Sequence, residues 1–557
     1  MYLRLFHWIE TTYNIDVSLS NTTSCNRSHL ALPTQVANRL PRPWWEWVFL
    51  VFYLILLAAF IPFCTNRMYL TIKAWRHRKE TRPQDEKRTS EAINALIQLP
   101  IYNEKNNVVE ALHALSKLQP INGGSVNVQI IDDSDKEDPT SEIVEETIAE
   151  LRLTCDLECT TFKHIRRNER VGYKAGALNE GLKEDEQECE VIAIFDADFR
   201  PHPNFLLETW PNLQQDGVAF VQCRWTYRNS HVSLIAALQA NLLNAHFYIE
   251  QFGRFVSEFP VHFNGTAGIW RREAVWNNSN NGRWSEEVLT EDLHLSYVTL
   301  IDPRWRGVFR KDTEVSSEVP SSYSRFVLQQ QRWVRGGIQT AKFLGSKLRT
   351  SEHDWGWKFS AWCHLYGNIQ YLFLLLLCIL QIFVQSSYVA QLSPWVRGAE
   401  WAVFFLGAIV LWLFFFASRR MSRPDIAQNM WTTLVDSLSS AVMVVATFVL
   451  GAALCINNGI AVLAGLLRGR GEFHRTPKGP DYRSPRRFFV LNLLGSVGGA
   501  LLFGYMALSL SGYRPFLWFF LAGFCFSTGM LGVEMITNFL DIPRMTKSEI
   551  WANGADS

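Results

Sequence analysis

Hydrophobic and polar residues follow two different patterns along this chain of 557 residues. Residues from about 80 to 355 mix charged and apolar positions, as in a soluble domain, whereas residues 43–65 and most of 363–540 are almost entirely apolar. An apolar run of roughly 20 residues is long enough for a helix to cross the hydrocarbon core of a bilayer. The pattern therefore predicts a water-exposed domain between membrane-spanning segments.

The first apolar stretch, Trp45–Cys64, indicates the orientation of the chain. It lies too far from residue 1 to be the apolar core of a signal peptide. The only basic residues in 1–41 are Arg4, Arg27 and Arg39, whereas the stretch is followed at once by Arg67, Lys73, Arg76, Arg78, Lys79 and Arg82. Because basic residues concentrate on the cytosolic side of a membrane, we expect the water-exposed domain in the cytosol.

Further candidate spans lie at 366–387, 400–418, 430–454, 488–510 and 514–538. Basic residues at 419–423 and at 468–487 both indicate cytosolic loops, and a single span cannot join two loops on one side. We therefore expect 430–467 to be a re-entrant or interfacial helix, or two tight crossings. Asp436 inside it should face protein rather than lipid.

These patterns predict five regions. They are an extracytoplasmic segment (1–42), a transmembrane helix (43–65), a cytosolic domain with interfacial helices (66–355), a transmembrane bundle (356–540) with a cytosolic loop at 468–487, and a cytosolic tail (541–557).

Short apolar runs alternate with segments of helical period inside the water-exposed domain. The runs are Ala95–Leu99, Val126–Ile131, Val191–Phe195 and Val218–Val221, with a weaker one at Thr160–Ile165. The clearest helical segments are Glu104–Leu118 and Ser141–Leu153. Strands that alternate with helices predict an α/β fold with a mainly parallel sheet, in which ligands bind at the carboxyl ends of the strands.

Polar and acidic residues follow three of these predicted strands. Tyr102-Asn103-Glu104 ends the first strand, Asp132-Asp133 ends the second, and Asp196-Ala197-Asp198 ends the fourth. An Asp-x-Asp at a strand end places two carboxylates where they can share a hard divalent cation with a diphosphate. Between the third and fourth strands, a glycine-punctuated turn enters a helix, and its Lys174 could bind phosphate.

Composition narrows the possibilities further. The net charge is +1 and no basic tract with interleaved aromatic residues occurs, so no nucleic-acid partner is expected. The 10 cysteines are scattered without the spacing of a zinc site, and we interpret them as reduced thiols. His246, His262 and His294 have no ligand spacing and are interpreted as structural. Aromatic residues of this domain either line a sugar path or belong to the core: Trp225, Tyr227, Trp270, Trp276 and Trp284.

The order of four motifs resembles the D, DxD, TED, QxxRW pattern of family 2 glycosyltransferases, in particular cellulose-synthase-like processive polysaccharide synthases. The motifs are Asp132-Asp133, Asp196-Ala197-Asp198, Thr290-Glu291-Asp292 and Gln329-Gln330-Gln331-Arg332-Trp333. The resemblance covers roughly residues 94–345 and implies a GT-A-like nucleotide-binding domain inserted in an α-helical multi-pass membrane domain. It also implies a Mg²⁺ or Mn²⁺ ion at Asp196 and Asp198.

The resemblance also assigns roles to residues of this chain. Asp292 is the implied catalytic base, with Glu291 beside it, and the choice between the two rests on the family. The implied donor-binding residues are Tyr102, Glu104, Asp132, Asp133, Lys174, Asp196, Gln329 and Arg332. The implied acceptor-binding residues are Asn264, Gly265 and Trp333. A segment that resembles the gating loop of cellulose synthase contains Phe473, Thr476 and Lys478, with Arg475 where an aliphatic residue is usual.

The expected protein is an integral multi-pass membrane hexosyltransferase of a plasma, inner or Golgi membrane. It would extend a growing β-linked polysaccharide of glucan or mannan type from a nucleotide-sugar donor and export the polymer through its membrane helices. A UDP-hexose donor is expected by resemblance, with GDP open. A single-transfer glycolipid synthase, similar to ceramide glucosyltransferase, is the alternative. A third hypothesis is a transporter or receptor with a degenerate nucleotide-binding domain. The complete set of acidic motifs disfavours it, because such a domain would not need every catalytic carboxylate.

Overall fold

The computed structural model describes residues 44–80, 91–276 (apart from 156 and 187), 283–386, 394–467 (apart from 425, 427 and 428), 486–509 and 515–539. Within them the strands are β1 (Ala95–Ile101), β2 (Val126–Asp132), β3 (Thr160–Arg166), β4 (Val191–Ile194), β5 (Val218–Tyr227), β6 (Gly268–Arg271) and β7 (Arg306–Ser317). They form one sheet in the order β3-β2-β1-β4-β6-β5-β7.

The helices before and within the sheet region are α1 (Trp44–Ala58), α2 (Ile61–Arg76), α3 (Val108–Leu115), α4 (Thr140–Thr154), α5 (Tyr173–Lys183), α6 (Phe205–Leu213), α7 (Leu234–Ala245), α8 (Phe252–Val256), α9 (Arg272–Trp276) and α10 (Glu291–Leu300). A π-helical turn, His246–Gln251, joins α7 to α8. The later helices are α11 (Tyr323–Thr350), α12 (Trp355–Leu365), α13 (Gln370–Ser386), α14 (Pro394–Met421), α15 (Met430–Leu467), α16 (Arg486–Ser509) and α17 (Pro515–Phe539).

The sheet confirms the predicted fold class. Strand β1 pairs in parallel with β2 and β4, β2 pairs in parallel with β3, and β5 pairs in parallel with β7. All five predicted strands are present, whereas β6 and β7 were not predicted. Strand β6 is antiparallel to both β4 and β5, so the sheet is mixed at this point.

Alternation along β1 shows how both faces of the sheet are covered. Leu96 packs into one hydrophobic core with Leu178 of α5, while Ile97 and Leu99 pack into another with Leu112 of α3. Because successive side chains of a strand point to opposite faces, a strand buried on both faces is a continuous apolar run. This arrangement leaves the carboxyl ends of the strands as the place where polar groups can gather.

Five helical segments of the described chain are long and apolar enough to cross a membrane: Trp47–Arg76, Trp395–Met421, Met430–Leu467, Phe489–Leu508 and Pro515–Ile536. A bent pair, Trp355–Leu365 with Gly367–Gln381, turns by 47° and would raise the number to six if it forms one span. These helices indicate a membrane protein. The nine cysteines within the described residues are free thiols.

The prediction of a re-entrant element or two crossings at 430–467 is wrong, because this segment is one continuous helix of 38 residues. Its acidic residue is compensated rather than placed at a break, since Arg419 Nε donates to Asp436 Oδ1 at 2.8 Å and the Asp436 side chain is buried. The bend falls instead between α12 and α13, near the start of the span predicted at 366–387. The segments 1–42 and 541–557 and nearly all of the loop 468–487 lie outside the described residues.

Candidate active site

A cavity of about 790 Å³ begins at the carboxyl ends of the strands and continues between the apolar helices. Its walls come from the loops after β1, β2 and β4, from the start of α10, from α11, and from α2, α14, α15 and α17. In parallel sheets this edge is where ligands bind, because loops of different strands converge there. We refer to this cavity as the cleft.

The Asp-x-Asp after β4 lies in the cleft as predicted. Lys174 Nζ, from the first turn of α5, donates to Asp196 Oδ1 at 2.5 Å and to the carbonyl oxygen of Gly265 at 2.8 Å. Asp198 is buried, and its Oδ2 accepts a hydrogen bond from Ser317 Oγ at 2.8 Å. Burial favours the neutral amine, but the carboxylates of Asp196, Glu291 and Asp292 outweigh it and raise the pKa of Lys174. Lys174 is therefore a fixed cation among carboxylates.

Glu291 and Asp292 form the first turn of α10, and both line the cleft. Burial, with a smaller contribution from the Asp292 charge, raises the pKa of Glu291 to about 7. Burial also raises the pKa of Asp292, against backbone hydrogen bonds and Lys174, which lower it. A raised pKa suits a carboxylate that accepts a proton near neutral pH. Burial, rather than the charge of Glu291, is the main cause of the raised pKa of Asp292.

The loop before β6 brings its backbone against this carboxylate pair. Gly265 has a φ of +82°, and a Cβ atom built there would lie 3.0 Å from Asp292 Oδ2. The neighbouring Asn264 is fixed by Gln251, whose Nε2 donates to Asn264 Oδ1 at 2.6 Å. Two of the three residues predicted to bind the acceptor, Asn264 and Gly265, therefore line the cleft beside the predicted base.

The Gln-x-x-Arg-Trp motif lies on α11 and also lines the cleft. Gln329, Arg332 and Trp333 all contact the cleft, as their spacing on one helical face predicted. Gln329 is buried, and its Oε1 accepts a hydrogen bond from Gln239 Nε2 of α7 at 2.5 Å. Gln330 also reaches the cleft.

Tyr102, Glu104 and Asp133 line the cleft at the ends of β1 and β2. Arg167 holds Asp133 with both nitrogens, Nε to Oδ1 at 2.5 Å and Nη2 to Oδ2 at 2.7 Å. Burial raises the pKa of Asp133, and its effect is larger than that of the hydrogen bonds and charge of Arg167, which lower it. The guanidinium carbon of Arg170 lies 3.5 Å from the centre of the Tyr102 ring, a cation–π contact.

Asp132 does not take the predicted position, because it lies outside the cleft lining. Its side chain is fully buried and accepts from Arg166 Nη1 at 2.8 Å and from Ser141 Oγ at 2.5 Å, and its Oδ2 lies 3.2 Å from His164 Nε2. Burial opposes ionisation, but the hydrogen bonds from His164, Ser134 and Ser141 hold the pKa of Asp132 well below its usual value. Asp132 therefore ties β2, β3 and α4 together, and we correct its donor-binding assignment.

The three histidines interpreted as structural lie in two different places. His246 and His262 line the cleft, together with His364, which the sequence did not single out. His294 lines a separate surface groove.

Four of the five aromatic residues singled out in the sequence divide between the two predicted roles. Trp225 and Tyr227 line the cleft, Trp270 and Trp284 are buried in the core, and Trp276 is exposed. The proposed gating residues Phe473, Thr476 and Lys478 lie outside the described residues.

A mixed α/β sheet with an Asp-x-Asp, a carboxylate pair and a Gln-x-x-Arg-Trp helix around one cleft is typical of glycosyltransferase domains. Residues 97–277 match the family described as Glycosyl transferase family 2, and residues 191–416 match Glycosyl transferase family group 2. The chain therefore carries a domain that matches family 2 glycosyltransferases, which confirms the predicted resemblance to that family.

Similar curated proteins are plant enzymes. A probable glucomannan 4-beta-mannosyltransferase 7 of Oryza sativa subsp. japonica is 35% identical over 45% of this chain and 42% of its own length. Glucomannan 4-beta-mannosyltransferase 7 of Arabidopsis thaliana is 32% identical over 57% of this chain and 55% of its own length. The chain thus spans about half the length of the curated relatives that it matches.

A solved structure, the mannosyltransferase PcManGT from Pyrobaculum calidifontis in complex with GDP-Man and Mn²⁺, is 17% identical with a TM-score of 0.44. The match covers 75% of this chain and 99% of that one.

Proposed function

We propose that this protein is an inverting hexosyltransferase that extends a β-linked polysaccharide of mannan or glucan type from a nucleotide-sugar donor. The observation that carries the proposal is the meeting of three groups in one cleft: the Asp196–Asp198 pair, the Glu291–Asp292 pair and the Gln-x-x-Arg-Trp face of α11. The similarity to plant glucomannan 4-beta-mannosyltransferases favours mannosyl transfer with β-1,4 linkage.

The donor would bind at the ends of β1, β2 and β4. Among the described residues, no group of three or more His, Cys, Asp or Glu side chains could hold a metal ion unaided. Asp196 and Asp198 therefore fit a Mg²⁺ or Mn²⁺ ion that takes its other ligands from a diphosphate and water. Such an ion would neutralise charge on the leaving diphosphate. Lys174 and Arg332 both line the cleft and would add positive charge beside the diphosphate.

Asp292 is the proposed base. Its carboxylate would accept the proton of an acceptor hydroxyl while that oxygen bonds to the anomeric carbon of the donor. The bond from that carbon to the diphosphate oxygen breaks at the same time, and the nucleoside diphosphate leaves. Gly265 beside Asp292 leaves room for the acceptor at this point, and Trp333 offers a ring face for sugar stacking. Burial of the carboxylate pair supplies the water exclusion that the transfer needs.

The membrane helices would accept the product. The cleft continues between α14, α15 and α17, where Phe404, Phe448 and Phe519 line it. Rings of this kind offer stacking surfaces along which a sugar chain can move. We propose that the polymer leaves through this part of the cleft, and that the glycosyltransferase domain faces the cytosol, where nucleotide sugars are available.

The test is a donor panel of GDP-mannose, UDP-glucose and UDP-GlcNAc with purified full-length protein, Mg²⁺ or Mn²⁺, and linkage analysis of the product. We expect a β-1,4-linked polymer longer than a disaccharide, formed from GDP-mannose alone or with UDP-glucose. A product limited to one sugar on a lipid would instead establish the single-transfer alternative, and no transfer from any donor would contradict the proposal.

A further inference from the structure

A group of polar side chains at the inner end of the cleft has no role in the mechanism above. It consists of His246, Arg254, His262 and His364, which we call the histidine–arginine cluster, and all four line the cleft. They come from the π-helical turn, α8, the loop before β6, and α12. Four polar residues from four elements therefore lie close together. Packing between the sheet and the membrane helices needs only apolar side chains, so packing alone does not explain this arrangement.

Neighbouring contacts fix the rings of the cluster. The His262 and His364 ring centres are 4.2 Å apart, and those of His246 and His262 are 5.5 Å apart. Glu250 Oε2 lies 2.8 Å from His246 Nδ1, and Tyr297 Oη lies 2.7 Å from His364 Nδ1. The cluster is therefore held in shape before any ligand binds.

Part of the hydrogen-bonding capacity of the cluster is unused. Arg254 is only 2% exposed, and its Nε and Nη1 atoms are buried without a hydrogen-bond partner among the described residues. The Nδ1 atom of His262 is likewise buried without a hydrogen-bond partner among the described residues. A buried guanidinium with unpaired donors costs several kcal/mol unless a partner satisfies it. A ligand that enters the cleft could be that partner.

The cluster adjoins the proposed transfer site through Asn264. The Nδ2 atom of Asn264 lies 3.0 Å from His262 Nε2 and 3.4 Å from His246 Nε2. The next residue, Gly265, is the one that approaches Asp292. A sugar whose hydroxyl reaches Asp292 would lie along this loop, and the sugar ring linked to it would meet the cluster.

The charges beside the cluster do not require an anionic ligand there. Glu250 offsets the positive charge of Arg67, whose Nη2 lies 3.1 Å from Glu250 Oε1, and the carboxylates of Glu291 and Asp292 line the same cleft. Burial, followed by the charges of His246 and Arg254, lowers the pKa of His262 well below its usual value, so its ring is neutral and can both donate and accept. Hydroxyl groups suit such a mixed set of donors and acceptors.

We propose that the histidine–arginine cluster binds hydroxyl groups of the acceptor glycan next to the sugar that receives the new unit. The inference rests on the proposed function and deepens it, because it assigns an acceptor-binding subsite to residues outside the motifs. Arg254 donates to hydroxyl oxygens, and His262 discriminates their arrangement around the ring.

The experiment uses purified full-length protein and β-1,4-linked mannotetraose as the probe. Calorimetry measures binding of the tetrasaccharide, and transfer assays give KM for the tetrasaccharide and for the sugar nucleotide separately. The variants are Arg254→Gln and His262→Asn. Arg152→Gln, an exposed arginine of α4 that does not line the cleft, is the matched control. Loss of a charge-assisted hydrogen bond predicts an increase of about tenfold in Kd and KM for the tetrasaccharide, with the donor KM unchanged.

Equal tetrasaccharide binding by wild type, both variants and the control would overturn the inference, as would an equal rise in the donor and acceptor KM values. If Arg254→Gln does not fold, as judged by loss of nucleotide binding, the result for His262→Asn alone tests the inference.

Different results would contradict the proposed function and the proposed subsite. Wild-type protein that transfers from no donor contradicts the proposed function, while tetrasaccharide binding that weakens in the variants still supports the subsite. Wild-type protein that does not bind the tetrasaccharide overturns the subsite.

Discussion

At the scale of single residues, Gly265 lies at a position where any side chain would collide with groups of the site. A side chain there would meet Asp292 Oδ2 at 3.0 Å and Lys174 Nζ at 3.6 Å, and its φ of +82° already favours glycine. We expect Gly265→Ala to reduce the rate of sugar transfer by tenfold or more, since about 1–2 kcal/mol of backbone strain adds to displacement of the base. Initial rates at saturating donor would measure this loss.

Gly123→Ala is the matched control for that substitution. Gly123 has a φ of +78°, but nothing lies within 4 Å of the Cβ atom built there. The control therefore carries the same backbone strain without the contact to Asp292. Equal rates for the two variants would contradict a catalytic role for the close approach at Gly265.

Glu291 predicts a pH-dependent effect on stability. Burial raises its pKa to about 7 from the ordinary 4.5, so between these values the folded chain binds more protons than the unfolded chain. The free energy of unfolding then falls as the pH rises through this interval and stays lowered above it. We expect Glu291→Gln, which cannot ionise, to have a higher Tm than wild type at pH 8 and a similar Tm near pH 4.

Thermal unfolding followed by tryptophan fluorescence, at one scan rate in one detergent, would measure both proteins at each pH. A Tm difference that is independent of pH would contradict the account of Glu291 as a carboxyl group whose ionisation is opposed by burial.

The residues of the site differ in how far the sequence predicted them. Asp196, Asp198, Glu291 and Asp292 lie at ends of elements, so the order of strands and helices was enough to bring them together. Asp132 and Asp133 were not separable, because adjacent residues at a strand end point to opposite sides and the pattern does not say which side is the cleft. The histidine–arginine cluster was not predicted, because His246, Arg254 and His262 follow one another without the spacing of a ligand set and His364 lies far along the chain.

At the scale of elements, the packing of α11 against the start of α10 positions the two halves of the site. A Cβ atom at Gly336 would lie 2.5 Å from Thr290 Cγ2, immediately before Glu291 and Asp292. We expect Gly336→Ala to move the helix that carries Arg332 and Trp333, with overpacking that costs about 1–3 kcal/mol and a fall in kcat of tenfold or more.

Rates of sugar transfer beside nucleotide affinity would measure the effect of Gly336→Ala. Ser346→Ala, at an exposed position of the same helix, should behave as wild type. If Gly336→Ala also transfers sugar at the wild-type rate, close packing between α10 and α11 does not position the site.

Elements with strong patterns were predictable, and elements set by their neighbours were not. The apolar strands β1, β2, β4 and β5 are buried in the sheet, so their runs identify them. Strand β6 has only four residues and β7 is rich in charged and polar residues, so pairing with β5 rather than propensity determines both. The helix 430–467 was mispredicted because basic residues on both sides of it indicated two cytosolic loops, whereas the structure has one unbroken helix between them.

At the scale of the whole molecule, the orientation of the glycosyltransferase domain is testable. The basic residues after Trp45–Cys64 predict that this domain faces the cytosol. In sealed, right-side-out vesicles, protease added outside should leave the domain intact, and detergent should make it susceptible. An antibody to the domain would report both results on a blot. Cleavage in sealed vesicles would contradict the orientation, provided that a cytosolic marker protein remains protected.

The most direct test of the central claim is the activity of Asp292→Asn. This change preserves the size of the side chain but removes the carboxylate that would accept the acceptor proton. Transfer of radiolabelled sugar and binding of the nucleoside diphosphate are measured on the same purified protein. We predict that polymer formation falls by at least a thousandfold, about 4 kcal/mol, while nucleotide binding stays at the wild-type level. Polymer formation by Asp292→Asn at a rate near that of wild type would contradict the account.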